Sequence, residues 1–342
     1  MQLSVVGERE GKLEMMTRQN LINRLRNIAK AARVFVLVKR PGDDSSMPMV
    51  ADIEKDCQSE LGECYCNVLR GGANDAWEES FPAVGNFDKD DDRKDCLYAY
   101  EHELPDELKF LSEIADDKDN SFVKARTEDI ENTKGIIIKL GVTDDFVLLF
   151  KMHSQVNIFS PKKWMLKWVD EQRLERTKEV QLRLSESYDL LYVDGNLLVK
   201  NMVVAEGIGG IRSRRLKDAE SLLKKLERGN LVEDLSKLSE LAQDIRNMTL
   251  IRKMSNLQSS GISIDSGFTR KLFDFVASKK EMKGRLRIVG GKGKERFQLS
   301  SKADCEVFLK LLSDDYLLSE ITGRSYEVNS KEEMRVKNGR DD

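Results

Sequence analysis

Histidine is scarce in this sequence of 342 residues, which contains His102 and His153 and no others. A catalytic triad or a zinc site built on several histidines therefore has little material to draw on. The five cysteines are odd in number and show no Cys-x-x-Cys spacing, which argues against a disulfide framework and against a tetrahedral zinc centre. We accordingly expect neither a metal ion nor another cofactor.

Long apolar runs are missing as well. Purely apolar runs such as 136–138 and 147–150 have at most the length of a strand, whereas a membrane helix needs roughly 20 apolar residues. The first nine residues lack the basic region and the sustained apolar stretch of a signal peptide. We therefore expect a soluble, cytoplasmic protein that does not itself insert into a membrane.

Acidic and basic residues are unevenly distributed along the chain. Residues 51–150 carry 26 acidic and 11 basic side chains, whereas residues 251–300 carry 12 basic and 4 acidic side chains. An acidic half and a separate basic segment in one chain are typical of proteins with a nucleic-acid or acidic-surface partner. The asymmetry therefore indicates DNA as a partner, although charge that merely solvates exposed faces remains an alternative.

Hydrophobic periodicity predicts helices and strands in the first part of the chain. Apolar residues recur every three or four positions over 17–32, which predicts a helix. The β-branched and apolar run 33–38 then predicts a buried strand. The pattern over 49–69 fits either a long strand or a helix, and that choice stays open.

Two predicted hairpins follow in the middle of the chain. The runs 135–140 and 145–151 form the first hairpin, and the runs 190–193 and 196–200 form the second. Asp194-Gly195 separates the strands of the second hairpin, and this dipeptide is typical of tight hairpin turns. Together with the alternating segment 180–184, these strands predict a central antiparallel sheet.

Helices dominate the rest of the sequence. Apolar faces predict helices over 216–226, 231–248, 267–280 and 302–312, with strands at 286–289, 296–299 and near 326–328. The fold class is therefore predicted to be α+β, with three regions. These are an N-terminal α/β domain with the acidic region over 1–130, a central antiparallel sheet over 131–205, and a helical C-terminal region with a basic DNA-binding surface over 206–335.

Two groups of basic residues in the C-terminal region are the candidate DNA-binding residues. The first basic cluster comprises Arg212, Arg214, Arg215 and Lys217, and the second basic cluster comprises Lys279, Lys280, Lys283, Arg285, Arg287, Lys292, Lys294 and Arg296. The first lies at a predicted helix N-terminus, where free amide groups favour an anion. In the second, the glycine-rich turn 290–294 can bring backbone amides close to a phosphate. Both clusters suit the phosphate backbone of DNA better than base edges.

A metal-dependent nuclease is the alternative from the enzyme class. Asp274, Glu281 and Lys283 supply two carboxylates that could hold Mg²⁺ and a lysine that could steady the attacking water. However, predicted helix between Asp274 and Glu281 leaves little room for the hairpin that normally brings such groups together. We therefore predict a binding protein and assign no catalytic residue. A scaffold that binds only protein is the third possibility.

Two segments resemble a known family. Residues 184–201 (LSESYDLLYVDGNLLVKN) are similar to the sheet core of the KwaB family, and residues 308–328 (FLKLLSDDYLLSEITGRSYEV) are similar to its C-terminal signature. The likeness extends from about 134 to 330. It implies a cytoplasmic effector of the Kiwa anti-phage system that binds DNA non-specifically. It also implies association with a membrane protein of the KwaA type, and restraint of phage DNA replication or expression.

This resemblance sets further expectations about partners. The protein would reach the inner face of the cell membrane through its membrane partner, and we expect a homo-oligomer, most simply a dimer. The acidic region 51–150 could dock on basic cytoplasmic loops of that partner. Alternatively, it could shield the basic surface until DNA displaces it. Asp90, Asp91 and Asp92 are the charges whose reversal would test both ideas.

Overall fold

The computed structural model of the chain describes residues 16–28, 31–75, 80–84, 87, 96–117, 121–142, 145–153, 158–159, 166–169, 173–176, 180–208, 210–279, 282, 284–291, 293–318 and 325–327. The chain divides into two compact units. Unit 1 comprises residues 1–84 and 93–210, and unit 2 comprises residues 85–92 and 211–342. None of the helices in the described ranges is both long enough and apolar enough to span a membrane.

Unit 1 combines helices with many strands. In chain order its elements are α1 (Arg18–Asn27), β1 (Ala32–Val38), β2 (Met47–Ala51), α2 (Lys55–Asp75), β3 (Tyr98–Ala99), α3 (Lys109–Asp116), α4 (Thr127–Ile130), β4 (Thr133–Val142), β5 (Asp145–Met152), β6 (Ile158–Phe159), β7 (Leu166–Val169), β8 (Arg173–Arg176), β9 (Gln181–Leu182), β10 (Leu190–Val193), β11 (Asn196–Val199) and α5 (Met202–Ile208). The segment 49–69, whose pattern fitted either a strand or a helix, contains the end of β2 and most of α2.

Seven strands in the described part of unit 1 form one antiparallel sheet, in the order β2-β1-β4-β5-β10-β11-β3. The α+β prediction and both hairpins are confirmed, since β4 pairs with β5 and β10 pairs with β11. Asp194 and Gly195 have φ angles of 48° and 77°, the positive values that a tight two-residue hairpin turn requires. The placement of 180–184 in this sheet is wrong, because β9 pairs with β6 in a separate two-stranded sheet.

The sheet draws strands from both sides of residue 130, since β1, β2 and β3 join β4, β5, β10 and β11. The division of the sequence into three regions at 130 and 205 stays a prediction.

Helices cover both faces of this sheet because its strands carry apolar side chains on both. Neighbouring residues of a strand point to opposite faces. Leu149 of β5 packs with Leu25 of α1 and Leu69 of α2 in one buried cluster. The next residue, Phe150, lies on the other face, where its ring centroid is 5.8 Å from that of Phe110 in α3. The sheet is therefore the middle layer of unit 1.

Lys139 of β4 is a buried cation that joins the sheet to α3. Lys139 is only 3% exposed. Its ammonium group donates to the carbonyl oxygens of Ile114 at 2.8 Å and Ala115 at 3.4 Å. These carbonyls lie at the C-terminal end of α3, where the helix dipole favours a cation. Burial lowers the pKa of Lys139. The helix end and the lysine thus satisfy each other's polar groups.

Asp189 is the hydrogen-bonding centre of the segment 184–201. Its carboxylate is 2% exposed and accepts from the ammonium group of Lys151 at 2.9 Å, the backbone amide of Met152 at 2.8 Å and the side-chain amide of Asn201 at 3.0 Å. A buried carboxylate is stable only when it is paired and hydrogen-bonded in this way. The contacts connect β5 to both ends of the second hairpin.

Other segments of unit 1 cover the two edges of the seven-stranded sheet. At β2, the amide of Val50 donates to the carbonyl of Val123 at 2.9 Å, and the amide of Ala125 donates to the carbonyl of Val50 at 2.8 Å. At β3, the amide of Ala99 donates to the carbonyl of Pro82 at 2.8 Å. Exposed strand edges invite pairing with other chains. Here the amide and carbonyl of Val50 and the amide of Ala99 already have partners.

Gly141 at the end of β4 offers a test of the first hairpin. Its φ angle is +90°, and an added Cβ would lie 2.0 Å from the carbonyl oxygen of Asp145 and 2.7 Å from Cγ1 of Ile28. We expect Gly141→Ala to reduce the free energy of unfolding by about 3 kcal/mol, because backbone strain and overcrowding add. Urea denaturation followed by circular dichroism measures this.

Gly42→Ala is the matched control, since Gly42 has a φ angle of +93° but open space around an added Cβ. It should cost about 1 kcal/mol from backbone strain alone. Equal losses in the two variants would show that crowding at Gly141 has no effect.

Unit 2 is mainly helical. Its elements are α6 (Ile211–Gly229), α7 (Ser236–Gln243), α8 (Met248–Ser259), α9 (Ser266–Ser278), β12 (Arg287–Val289), β13 (Arg296–Gln298), α10 (Lys302–Leu312), β14 (Tyr316–Leu318) and β15 (Ser325–Glu327). The predicted helices over 216–226, 267–280 and 302–312 and the strands at 286–289 and 296–299 correspond to α6, α9, α10, β12 and β13.

Phe297 of β13 lies at the centre of the unit 2 core. It is fully buried, and its ring centroid lies 4.6 Å from that of Phe273 in α9 and 5.6 Å from that of Phe308 in α10. Burial also raises the pKa of the Cys305 thiol in α10 to about 11. This cysteine therefore stays protonated at neutral pH and serves packing rather than chemistry.

The predicted helix over 231–248 is wrong. Val232 forms a parallel bridge to β13, α7 starts four residues later, and a 3-10 turn precedes α8. The carboxylate of Asp244 accepts from the amide of Arg246 at 3.0 Å and caps this turn. The apolar residues are spaced as on the face of one helix. However, the Asp244 cap and the bridge between Val232 and β13 divide the segment into an extended part, α7 and the 3-10 turn.

Candidate nucleic-acid interface

The first basic cluster lies in the first two turns of α6. Arg214 and Lys217 are exposed, Arg212 is half-buried, and Arg215 is only 3% exposed. The amide groups and the dipole of a helix N-terminus favour an anion near such cations. Because Arg215 is buried, the charges that this cluster presents to solvent are those of the other three residues.

Asp218 offsets part of the charge of the first basic cluster. Its Oδ1 lies 3.3 Å from Nε of Arg214, one helical turn away. The hydroxyl of Ser255 in α8 donates to Oδ2 of Asp218 at 2.8 Å. This second contact holds the carboxylate beside the arginine. Arg214 therefore contributes less positive electrostatic potential at the surface than an unpaired arginine would.

Part of the second basic cluster lies on the β12–β13 ribbon. Strand pairing places Arg287 opposite Gln298 and Ile288 opposite Phe297. Side chains alternate between the two faces, so Ile288 and Phe297 face the core. Arg287, which is exposed, and Arg296, which is half-buried, share the opposite face. The two arginines are thus brought together on the surface.

The turn between β12 and β13 carries Lys294 and three glycines, of which two have positive φ angles. Gly290 and Gly293 have φ angles of 96° and 81°, and Lys294 is exposed. The amide of Gly293 donates to Oε2 of Glu295 at 2.8 Å. The Gly293 amide, one of those predicted to approach a DNA phosphate, therefore already donates to the Glu295 carboxylate.

Lys279 and Arg285 are linked through two aromatic rings. Nζ of Lys279 lies 6.0 Å from the ring centroid of Phe275, and Cζ of Arg285 lies 5.7 Å from the ring centroid of Tyr316. The two centroids are 6.2 Å apart with an angle of 32° between the ring planes. We call these four residues the cation–aromatic row. It places each of two predicted cations beside one ring of an aromatic pair.

Several predicted site residues lie outside the described residues, namely Lys280, Glu281, Lys283 and Lys292. Of the nuclease alternative, Asp274 is described. It is exposed, and its Oδ2 lies 3.9 Å from Nε of Arg270. The described part of the chain contains no group of three or more His, Cys, Asp or Glu side chains arranged to hold a metal ion.

Sequence reasoning missed Phe275, Tyr316, Asp218 and Glu295. The rings lie 41 positions apart in the sequence, so no local pattern could have paired them. Asp218 and Glu295 could have been noticed in the sequence, because Asp218 directly follows a basic run and Glu295 lies within one. An acidic residue in such a place invites the question of which cation or amide it binds.

The fold and the two basic clusters define an α+β protein whose helical unit, unit 2, carries basic residues that lie close together on its surface. The family model described as "Kiwa protein KwaB-like" matches residues 130–322. This match spans more than half of the chain, and the chain therefore belongs to the KwaB-like family. The resemblance seen in the sequence is confirmed.

One relative is Kiwa protein KwaB of Escherichia coli O55:H7 (strain RM12579 / EPEC). The two sequences are 23% identical over 288 residues, which cover 82% of this chain and 88% of the relative. The likeness thus extends into the first 130 residues, where the sequence was less distinctive. No solved structure matches the chain.

Proposed function

We propose that this chain is an anti-phage defence protein that binds DNA non-specifically through its phosphate backbone. The observation that carries the proposal is the shared outer face of the β12–β13 ribbon, where Arg287 and Arg296 lie together. Cations on one exposed face can displace counterions from a polyanion without reading its sequence. Membership in the KwaB-like family supports the defence role.

The same proposal includes a cellular setting. The protein would act in the cytoplasm with a membrane protein of the KwaA type, at the inner face of the cell membrane, and would restrain phage DNA replication or expression. Self-association, most simply as a dimer, belongs to this proposal too. Charge reversal of Asp90, Asp91 and Asp92, which lie outside the described residues, tests whether the acidic region 51–150 contributes to partner binding or shields the basic surface. Unchanged co-purification and unchanged DNA affinity would reject both roles for these three charges.

Salt-dependent binding to duplex DNA tests the proposal directly. Fluorescence anisotropy with two unrelated duplexes should give equal affinities that fall linearly on a logarithmic salt scale, with a slope of about −0.9 for each neutralised phosphate. Absence of binding at every salt concentration would reject DNA binding and leave the protein-only scaffold. Cleavage of the duplex in the presence of Mg²⁺ would favour the nuclease alternative instead.

Glu295→Gln gives a sharper prediction at the glycine turn. The change removes a negative charge next to Lys294 and weakens the hold on the Gly293 amide, which then can donate to a DNA phosphate. We expect DNA affinity to rise about two- to fivefold, which corresponds to about 0.4–1 kcal/mol, because the lost internal contact offsets most of the gain from a hydrogen bond to a charged phosphate. Anisotropy at one fixed salt concentration measures it.

Glu233→Gln is the charge-matched control for this variant, because Glu233 also belongs to unit 2 and its backbone amide donates to the carbonyl of Phe297. This control should leave affinity almost unchanged. An equal rise in both variants would attribute the effect to net charge rather than to the turn.

A further inference from the structure

The cation–aromatic row contains two residues, Phe275 and Tyr316, that have no charge and yet contact two candidate DNA-binding cations. Each ring has one cation near it, and the rings lie beside each other. Both aromatic residues are half-buried, whereas Arg285 is exposed. The rings are therefore placed between the core and the charged surface.

The backbone around each ring is held in place. Asp315, which precedes Tyr316, is 6% exposed and forms an ion pair with Lys253 of α8. Its amide also donates to the carbonyl of Lys310 in α10 at 3.0 Å. On the other side, the amide of Lys279 donates to the carbonyl of Phe275 at 3.1 Å. Both rings thus sit on fixed backbone rather than on loose chain.

Fixed rings matter because lysine and arginine side chains lose much rotamer freedom when they bind a phosphate. A cation that already rests on an aromatic face has part of this freedom removed before DNA arrives. Binding is then stronger with no added charge. Arginine gains most, since its planar guanidinium group stacks on a ring.

We infer that Phe275 and Tyr316 are positioning residues for DNA binding, which hold Lys279 and Arg285 in place for phosphate contacts. The inference rests on the proposed DNA binding and deepens it. It assigns part of the affinity to an uncharged aromatic pair. It also predicts that a change in one of the rings lowers the affinity for DNA and leaves its salt dependence unchanged.

A double-mutant cycle between Tyr316 and Arg285 tests the inference. Tyr316→Leu should weaken binding to a duplex two- to fivefold, the fold-change that corresponds to a cation–π contact at an exposed site, with the slope against salt unchanged. Arg285→Ala should make that slope shallower by about 0.9. In the Arg285→Ala background, Tyr316→Leu should have no further effect. Tyr316→Phe, which keeps the ring, should bind as the unaltered protein does.

The outcomes separate positioning from a general structural role. An equal loss from Tyr316→Leu in both backgrounds, or no loss in either, would overturn the inference. Failure of the unaltered protein to bind DNA would instead reject the proposed function. If Tyr316→Leu does not fold, Arg285→Lys replaces it, because that change keeps the charge on an exposed residue and removes most of the stacking. It should weaken binding with an unchanged slope, and unaltered affinity would contradict the inference.

Discussion

Replacing Arg285, Arg287 and Lys294 together by alanine should weaken DNA binding about a hundredfold near physiological salt and make the salt slope shallower by about 2.7. Each lost phosphate contact removes one set of released counterions, so the two changes must occur together. All three residues are exposed, and the fold should therefore tolerate the change. Anisotropy titrations at several salt concentrations measure both quantities.

The control for this triple variant removes the same charge from unit 1. Lys55, Lys109 and Lys134 are likewise exposed, and their joint replacement by alanine should leave the affinity almost unchanged. A comparable loss in the control would mean that net charge, rather than the second basic cluster, governs binding. A loss of affinity without a change in slope would point to misfolding and not to missing phosphate contacts.

Asp189→Ala should destabilise the protein by about 3–5 kcal/mol, since it leaves the ammonium group of Lys151 without its buried carboxylate. The amide of Met152 and the side-chain amide of Asn201 lose their acceptor at the same time. Urea denaturation followed by circular dichroism measures the free energy of unfolding. The second hairpin should separate from β5 first, because the carboxylate connects them.

Asp106→Ala is a suitable comparison, because the side chain of Asp106 is 86% exposed and pairs with Lys109. Exposed pairs of this kind contribute little to stability. A small effect of Asp189→Ala, similar to that of the comparison, would show that water replaces the buried carboxylate and that the network has little weight.

Local signals explain what the sequence predicted correctly. The hairpins follow from alternating apolar residues and from Asp194-Gly195, and the helix after Ser301 follows from a capping box, in which Ser301 and Asp304 satisfy each other's backbone amides. Such features involve residues a few positions apart. They fix elements wherever tertiary contacts agree with them.

Long-range contacts explain what the sequence could not supply. In 49–69, the short strand β2 is followed by α2, and the packing of Tyr65, Cys66 and Leu69 against the sheet favours a helix there. In the candidate interface, charge alone indicated the basic clusters. The burial of Arg215, the internal acceptor Glu295 and the aromatic partners of Lys279 and Arg285 depend on neighbours far along the chain.

The covered edges of the seven-stranded sheet restrict how copies of this protein can associate. With Val50 bound to the strand-like segment 123–125, and Ala99 bound to Pro82, an incoming β-strand would have to displace an internal partner at either edge. Continuous intermolecular sheets, which underlie many aggregates, are thereby disfavoured. Self-association that lengthens this sheet at Val50 or Ala99 would therefore cost internal hydrogen bonds.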